Sequence, residues 1–249
     1  MSTETRARAT MIGFAMLAAL FAMLLVGAGG CGGGSDTMTG PQTGDDVDAG
    51  PPTVTTGPYQ PLTVGSTWSY HVDDQGVVYD KQSSVEAFED MGGAIAGTMG
   101  FKVRETIKSS VQLTWYEVTA TDVRRHHDQL TDTTGRMLSD EWYSPFLLRV
   151  DEAPEHLQAG ATWTINYMKT KTTSSKPTET TSQTETWKVE AVDTVTAVPA
   201  GTFNALKITR TDTADGSVKT QWFVRGVGKV RERTGNGHFE ELTAYTIAP

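Results

Sequence analysis

Three regimes of apolar and polar positions divide the chain. Residues 11–26 form one apolar run, with Gly13 its single gap and no charge. Residues 32–57 carry few apolar side chains and are rich in Gly, Thr, Asp and Pro. From Tyr59 onward apolar and polar positions alternate with a period of two, as half-buried strands do. Trp68, Tyr70 and Val72 alternate with Ser69 and His71, and the same rhythm runs through 111–118, 187–191 and 239–247. Thr, Val, Trp, Tyr and Phe dominate this third regime, and sustained helical periodicity is missing from it.

Turn chemistry separates the alternating runs. Asn236-Gly237 is a strong hairpin signal, because both central positions of a type I′ turn need positive φ. Asp215-Gly216 is a second. Val198-Pro199-Ala200-Gly201 suits a type I turn, with proline presetting φ. Together they predict an antiparallel C-terminal meander over 184–197, 202–213, 218–233 and 238–247. The Gly226-Val227-Gly228 step reads as a bulge or bend inside the third of these. Ser83 with Glu86 has the form of a helix capping box, but the same residues suit a strand ending at Gly92-Gly93, and the strand is preferred. A short helical turn is expected near 151–156.

The fold expected is all-β and mainly antiparallel: a curled sheet, half-barrel or flattened barrel with at most one or two short helices. Three tryptophan pairs hint at two related halves, 59–152 and 153–249. Gly65-x-Thr67-Trp68 resembles Gly160-x-Thr162-Trp163, Trp115 answers Trp187, and Trp142 answers Trp222. Their unequal offsets rule out a fixed-period repeat. A single curled sheet explains the pattern without duplication.

The junction between the first two regimes is Cys31, the only cysteine in 249 residues. Arg6 and Arg8 precede the apolar run, and Gly27-Ala28-Gly29-Gly30 lead into the cysteine. The run is long enough for a signal h-region and short for a membrane span. These residues resemble a bacterial lipoprotein signal, whose lipobox places small residues before an invariant cysteine. Ala28 stands where that pattern usually has leucine. The resemblance implies that residues 1–30 are removed and that Cys31 is lipidated. It also implies that the protein is held at a membrane of the bacterial envelope. The uncharged Gly32 favours the outer membrane in that family. Acyl chains hold a protein at a bilayer by roughly 0.8 kcal/mol per buried CH2. Three other readings stay open: an ordinary signal-peptidase site at Val26-Gly27-Ala28, an uncleaved anchor, or a lone cysteine that happens to follow a signal.

Removing Arg6, Arg8 and Glu4 with the signal leaves 19 Lys+Arg against 29 Asp+Glu, a net of −10. That balance argues against nucleic acid as a partner. No intramolecular disulfide is possible, so the core alone must hold the fold. Residues 31–58 read as a disordered tether, because so few apolar groups cannot offset chain entropy. As a coil of about 26 residues it spans roughly 25–30 Å. Residues 59–249, about 190 in number, are long enough to bury a core.

Gly65-x-x-Trp68-x-Tyr70, Pro199-Ala200-Gly201-Thr202-Phe203 and Gly226-Val227-Gly228-x-Val230 together resemble uncharacterised exported β-sheet proteins and lipoproteins of bacteria. That resemblance rests on structural residues and implies an antiparallel fold without an activity.

Candidate chemistry is sparse. His126 and His127 are neighbours in a strand and should point to opposite faces, with Asp128 on the side of His126. The run 123–128 reads as a solvated strand or edge. Asp73-Asp74-Gln75-Gly76 and 212–216 fail the ligand spacing of a calcium loop and suit turns. Asp140-Glu141 and Glu240-Glu241 each split across two faces and read as exposed polar positions. No catalytic, phosphate-loop or dinucleotide motif occurs, so no catalytic residue, metal or cofactor is expected. Residues 169–186 lack any apolar side chain between Met168 and Trp187, which suits a long exposed hairpin arm or loop, with a partner-binding arm the functional alternative. The function expected is that of a membrane-tethered envelope lipoprotein with a non-enzymatic binding or structural role. Its partner would be an apolar ligand held in the curled sheet, or an envelope protein docked on a strand edge. A secreted soluble hydrolase is the alternative.

Overall fold

The computed structural model describes residues 55–249. The signal, Cys31 and nearly all of the proposed tether lie outside them. Twelve strands follow one another in an antiparallel meander and close on themselves as a barrel. They are β1 (Thr67–Asp74), β2 (Val77–Asp90), β3 (Met99–Ile107), β4 (Ser110–Val118), β5 (Asp122–Asp132), β6 (Met137–Asp151), β7 (Thr162–Thr173), β8 (Lys176–Val198), β9 (Gly201–Asp212), β10 (Val218–Val224), β11 (Gly228–Thr234) and β12 (His238–Thr246). Each strand pairs with its neighbour in sequence, and β1 with β12 closes the ring. The expected all-β, flattened-barrel class is what the chain adopts. The region with the capping-box residues is strand β2, and the helical turn near 151–156 is a 3-10 turn at Pro154–His156.

The C-terminal meander needs two corrections. The Gly226-Val227-Gly228 step divides the expected 218–233 strand into β10 and β11, with Val227 N–H donating to Val224 C=O at 3.1 Å. It is a turn because Gly226 has φ of 67° and the chain at Thr56 presses so close that no side chain fits there. The Asn236-Gly237 hairpin forms, but only Gly237 has positive φ, so it is a three-residue loop instead of a type I′ turn. The type I′ geometry falls at Gln75-Gly76, whose φ values are 58° and 87°.

Of the three tryptophan pairs, only Trp68 and Trp163 lie on corresponding strands, each near the start of a six-strand run on β1 and β7. Trp115 and Trp187 lie on β4 and β8, and Trp142 and Trp222 on β6 and β10.

The two ends of the barrel differ. At one end, here termed the base, the incoming chain crosses the opening. Pro58 C=O accepts from Gly226 N–H at 2.8 Å, and Tyr59 N–H donates to Glu152 at 2.8 Å. Tyr59 and Leu62 are buried against the core. Trp68, Val85, Val103, Val123, Val150, Phe203 and Phe223 fill this half, each 5 % exposed or less. A hydrogen bond of 2.6 Å from Trp68 Nε1 to Val227 C=O ties the first strand to the β10–β11 turn. Between β6 and β7 the ladder ends at Ser144–Met168, just before Pro145, which lacks a donor. Leu157 and Trp163 pack against the core, and His156 stacks on Trp163 at 4.0 Å.

Twelve strands enclose more room than such a core fills. Many outward-facing positions around the wall are polar, while Val78, Phe88, Met168 and Val195 are apolar side chains exposed among them. Lys188 lies beside Thr209, Arg231 beside Glu241, His71 beside Asp80 and Gln82 beside Thr106. Such charged and polar pairs interrupt any continuous apolar band of the kind that a membrane-spanning barrel presents to lipid.

The β7–β8 hairpin forms the expected arm, turning at Ser174-Ser175. It is flanked by β6 on one side, while β8 meets β9 only from Glu185 onward. The stretch 176–183 is thus left as a strand edge, and Lys176 and Pro177 blunt it.

Candidate functional site

The other end of the barrel, termed the mouth, holds a cavity of about 350 Å³. Exposed Asn236 and half-buried Asp74 lie at its rim, beside the β11–β12 and β1–β2 turns. Antiparallel strands place these turns at the far end from Tyr59, so the cavity opens away from where the chain joins the barrel.

Charged side chains line the cavity on positions that alternation directs inward. Glu240 shares the inner face of β12 with Leu242, Lys81 that of β2 with Val85, and Glu105 that of β3 with Val103. The ion pairs run in sequence across strands. Lys81 Nζ lies 3.6 Å from Glu105 and 2.8 Å from Glu240. Lys229 Nζ lies 2.9 Å from both Glu240 and Glu232, and Lys219 Nζ is 3.1 Å from Glu232. Gln221 donates to Glu232 at 2.8 Å, and the Tyr70 hydroxyl donates to Lys229 C=O at 3.0 Å. Glu240 is 2 % exposed, and Glu232 and Lys229 are 5 % exposed, so the network is screened little by water.

Burial alone would raise the carboxyl values, but the ammonium groups outweigh it. Lys229 and Lys81 hold Glu240 well below the usual carboxylate range, and Lys219, Lys229 and Arg149 do the same for Glu232. Burial would lower Lys81, yet Glu105 and Glu240 raise it above the usual lysine value. Lys219 behaves oppositely. Glu232 raises it, but burial, Arg210 and Lys229 together pull it below the usual lysine value.

A second network borders the first. Arg125 donates to Asp128 at 3.0 Å and to the Tyr116 hydroxyl at 2.8 Å. Asp128 also accepts from Thr114 and Tyr143 at 2.7 and 3.0 Å. Glu141, paired with Lys169 and Lys171 at 2.8 and 2.6 Å, is brought down to about 2: burial opposes the shift and these lysines cause it.

Several expected positions differ. Glu240 and Glu141 are not exposed polar positions; one is interior and the other half-buried. The run 123–128 is not a solvated edge, because β5 pairs on both sides and His126, His127 and Asp128 are 6, 7 and 8 % exposed. A bulge at His126 interrupts the alternation, so His126 and His127 share the outer face while Arg125 and Asp128 turn inward. His126 meets Glu117 at 3.1 Å, and His127 meets Asp140 at 2.7 Å while stacked between Trp115 and Trp142 at 4.5 and 3.9 Å. His156 pairs with Asp151 at 2.7 Å, and His71 with Asp80 at 3.4 Å. His238 lies 3.6 Å from Asp74 at the mouth. Among the described residues, every histidine faces a carboxylate. The aspartates of the two acidic stretches cap their own turns: Asp73 accepts from Gly76 N–H at 2.7 Å, and Asp212 from Ala214 N–H at 2.8 Å. Cys31 lies outside the described residues.

Sequence reasoning missed Lys81, Glu105, Arg149, Lys219, Lys229 and Glu232. The available signal was parity. Lys81 falls two and four residues from Ser83 and Val85, and Glu105 two from Val103, each on the face that carries the core.

No protein-family model, curated protein or solved structure matches this chain. The chemistry of the cavity is therefore read from its geometry. Alternating ammonium and carboxylate groups on a rigid wall can orient a polar molecule by ion pairs and hydrogen bonds.

Proposed function

We propose that this is a lipoprotein of the bacterial envelope, anchored through lipid on Cys31, with the barrel serving a non-enzymatic binding role. The observation that carries the reading is Cys31 itself. The chain's one thiol follows an apolar run of signal length after four small residues and stands directly before a spacer. The arrangement of the barrel supports it. The chain joins at the base and the cavity opens at the opposite end, so a domain held at its N-terminus offers its cavity to solvent. The outer membrane is the preferred site, on the uncharged Gly32.

A binding role is favoured over catalysis because the polar groups in the interior are committed to one another. The buried carboxylates of the mouth are held by lysines, and the histidines face carboxylates instead of hydroxyl nucleophiles. The test is the intact mass of the protein purified from its native membrane, beside a Cys31→Ser variant. A chain beginning at Cys31 with acyl groups, absent from the variant, is expected. An unlipidated chain beginning near Gly29 would overturn the anchor.

A further inference from the structure

We infer that the mouth cavity binds a free small organic anion, a carboxylate or a phosphate, through the Arg149 guanidinium. This deepens the binding role proposed above by naming the chemical class of the ligand.

The inference starts from charge matching. Glu105, Lys81, Glu240, Lys229, Glu232 and Lys219 form an alternating chain in which every charge has an opposite neighbour. Arg125 lines the cavity too, but Asp128 engages it at 3.0 Å. Asp74 at the rim is shared by Lys108 and His238, at 3.8 and 3.6 Å. Arg149 is left over. It lines the cavity, and among the described residues no carboxylate comes within 4.0 Å of it.

Arg149 is nonetheless held in place. Its guanidinium sits 5.3 Å from the centre of the Phe223 ring, and Phe223 is fully buried where the core meets the cavity. A planar fork of donors fixed against an aromatic face is prepared for a two-oxygen acceptor. The surroundings reinforce it. Lys219, Lys229 and Arg149 all act on one carboxylate, Glu232; Glu232 raises Lys219, but burial, with Arg210 and Lys229, pulls it below its usual value. Positive charge is in surplus at this wall, and an anion would relieve it.

Size and polarity narrow the ligand. A volume of about 350 Å³ lies at the small end of ligand pockets. Asp74, Glu105, Gln112 and Asn236 offer polar groups to the remainder of such a molecule. An acyl chain would strip water from these groups and return nothing, so a free polar anion suits the cavity better than a lipid.

The experiment is calorimetric titration of the purified full-length protein with inorganic phosphate and with citrate, at low ionic strength and pH 7. Saturable binding of at least one probe is expected. Arg149→Gln should weaken it about tenfold or more, Arg149→Lys by several fold, and Lys188→Gln on the outer wall not at all. Absence of saturable binding for both probes, or wild-type affinity in the Arg149 variants, would overturn the inference. Circular dichroism checks folding; Arg149→Lys keeps the charge and carries the reading if Arg149→Gln does not fold. The titration is repeated on Cys31→Ser protein, where equal affinity is expected. Loss of the anchor and loss of anion binding are thereby read separately.

Discussion

The two halves of the barrel interior solve the same packing problem with opposite chemistry. The base is filled with Trp68, Val85, Val103, Phe203 and Phe223, whose burial needs no partner and is worth roughly 1.5–3 kcal/mol for each large side chain. The mouth is lined with lysines and glutamates that must be desolvated, and removing one partner from such a network leaves an uncompensated charge. An apolar mouth would hold the barrel together at least as well. The difference teaches that the base secures the fold, while the mouth keeps a polar, aligned cavity at the end of the barrel farthest from Tyr59, where the chain enters it.

The comparison is sharpest in paired substitutions. Lys229→Met leaves Glu232 and Glu240 each short of an ammonium group and should lose about 3–5 kcal/mol in urea unfolding at pH 7. Phe223→Ala in the base should lose a similar 3–5 kcal/mol or so through cavity formation, but equally at pH 5 and pH 8. A pH-dependent loss for Phe223→Ala would blur the division between the halves. Glu240→Gln should lose about 2 kcal/mol at pH 7.

The sign of the pH effect follows from the directions of shift. Glu240, Glu232 and Glu105 are lowered, so the stability they supply is full above the unfolded carboxylate value near about 4.3 and fades as pH falls toward the folded values. The wild type should therefore lose stability below that pH, and Glu240→Gln should show a flatter acid limb. Lys81 is raised, so its contribution is full below about 10.4 and fades only as pH rises through its folded value. The smallest effect belongs to the outer wall. Lys188→Gln removes an exposed pair with Glu190 and should change stability by less than about 0.5 kcal/mol.

The fold was legible because alternation and turn chemistry are local. Trp68-Ser69-Tyr70-His71-Val72 and the Pro199-Ala200 turn carry their conformations in adjacent residues. Gly226-Val227-Gly228 was misjudged because its turn depends on a segment 170 residues away, at Thr56 to Pro58, pressing on Gly226. The cavity was less legible still. Charged residues normally face water, and a lysine at an inward position looks like one at an outward position until its partner on another strand is known. Lys81 and Glu240 are 159 residues apart. The bulge at His126 carries no glycine to mark it, so strict alternation sent both His127 and Asp128 to the wrong faces.

The most direct test of the division between a supporting base and a receiving mouth is urea unfolding of Arg149→Gln at pH 7, beside the wild type. Arg149 has no carboxylate within 4.0 Å among the described residues, rests on the Phe223 ring and acts on Glu232 only at longer range, so the account predicts a loss of about 1 kcal/mol or less. A loss of about 3–5 kcal/mol, matching that of Lys229→Met, would make Arg149 a strut of the fold and contradict the account.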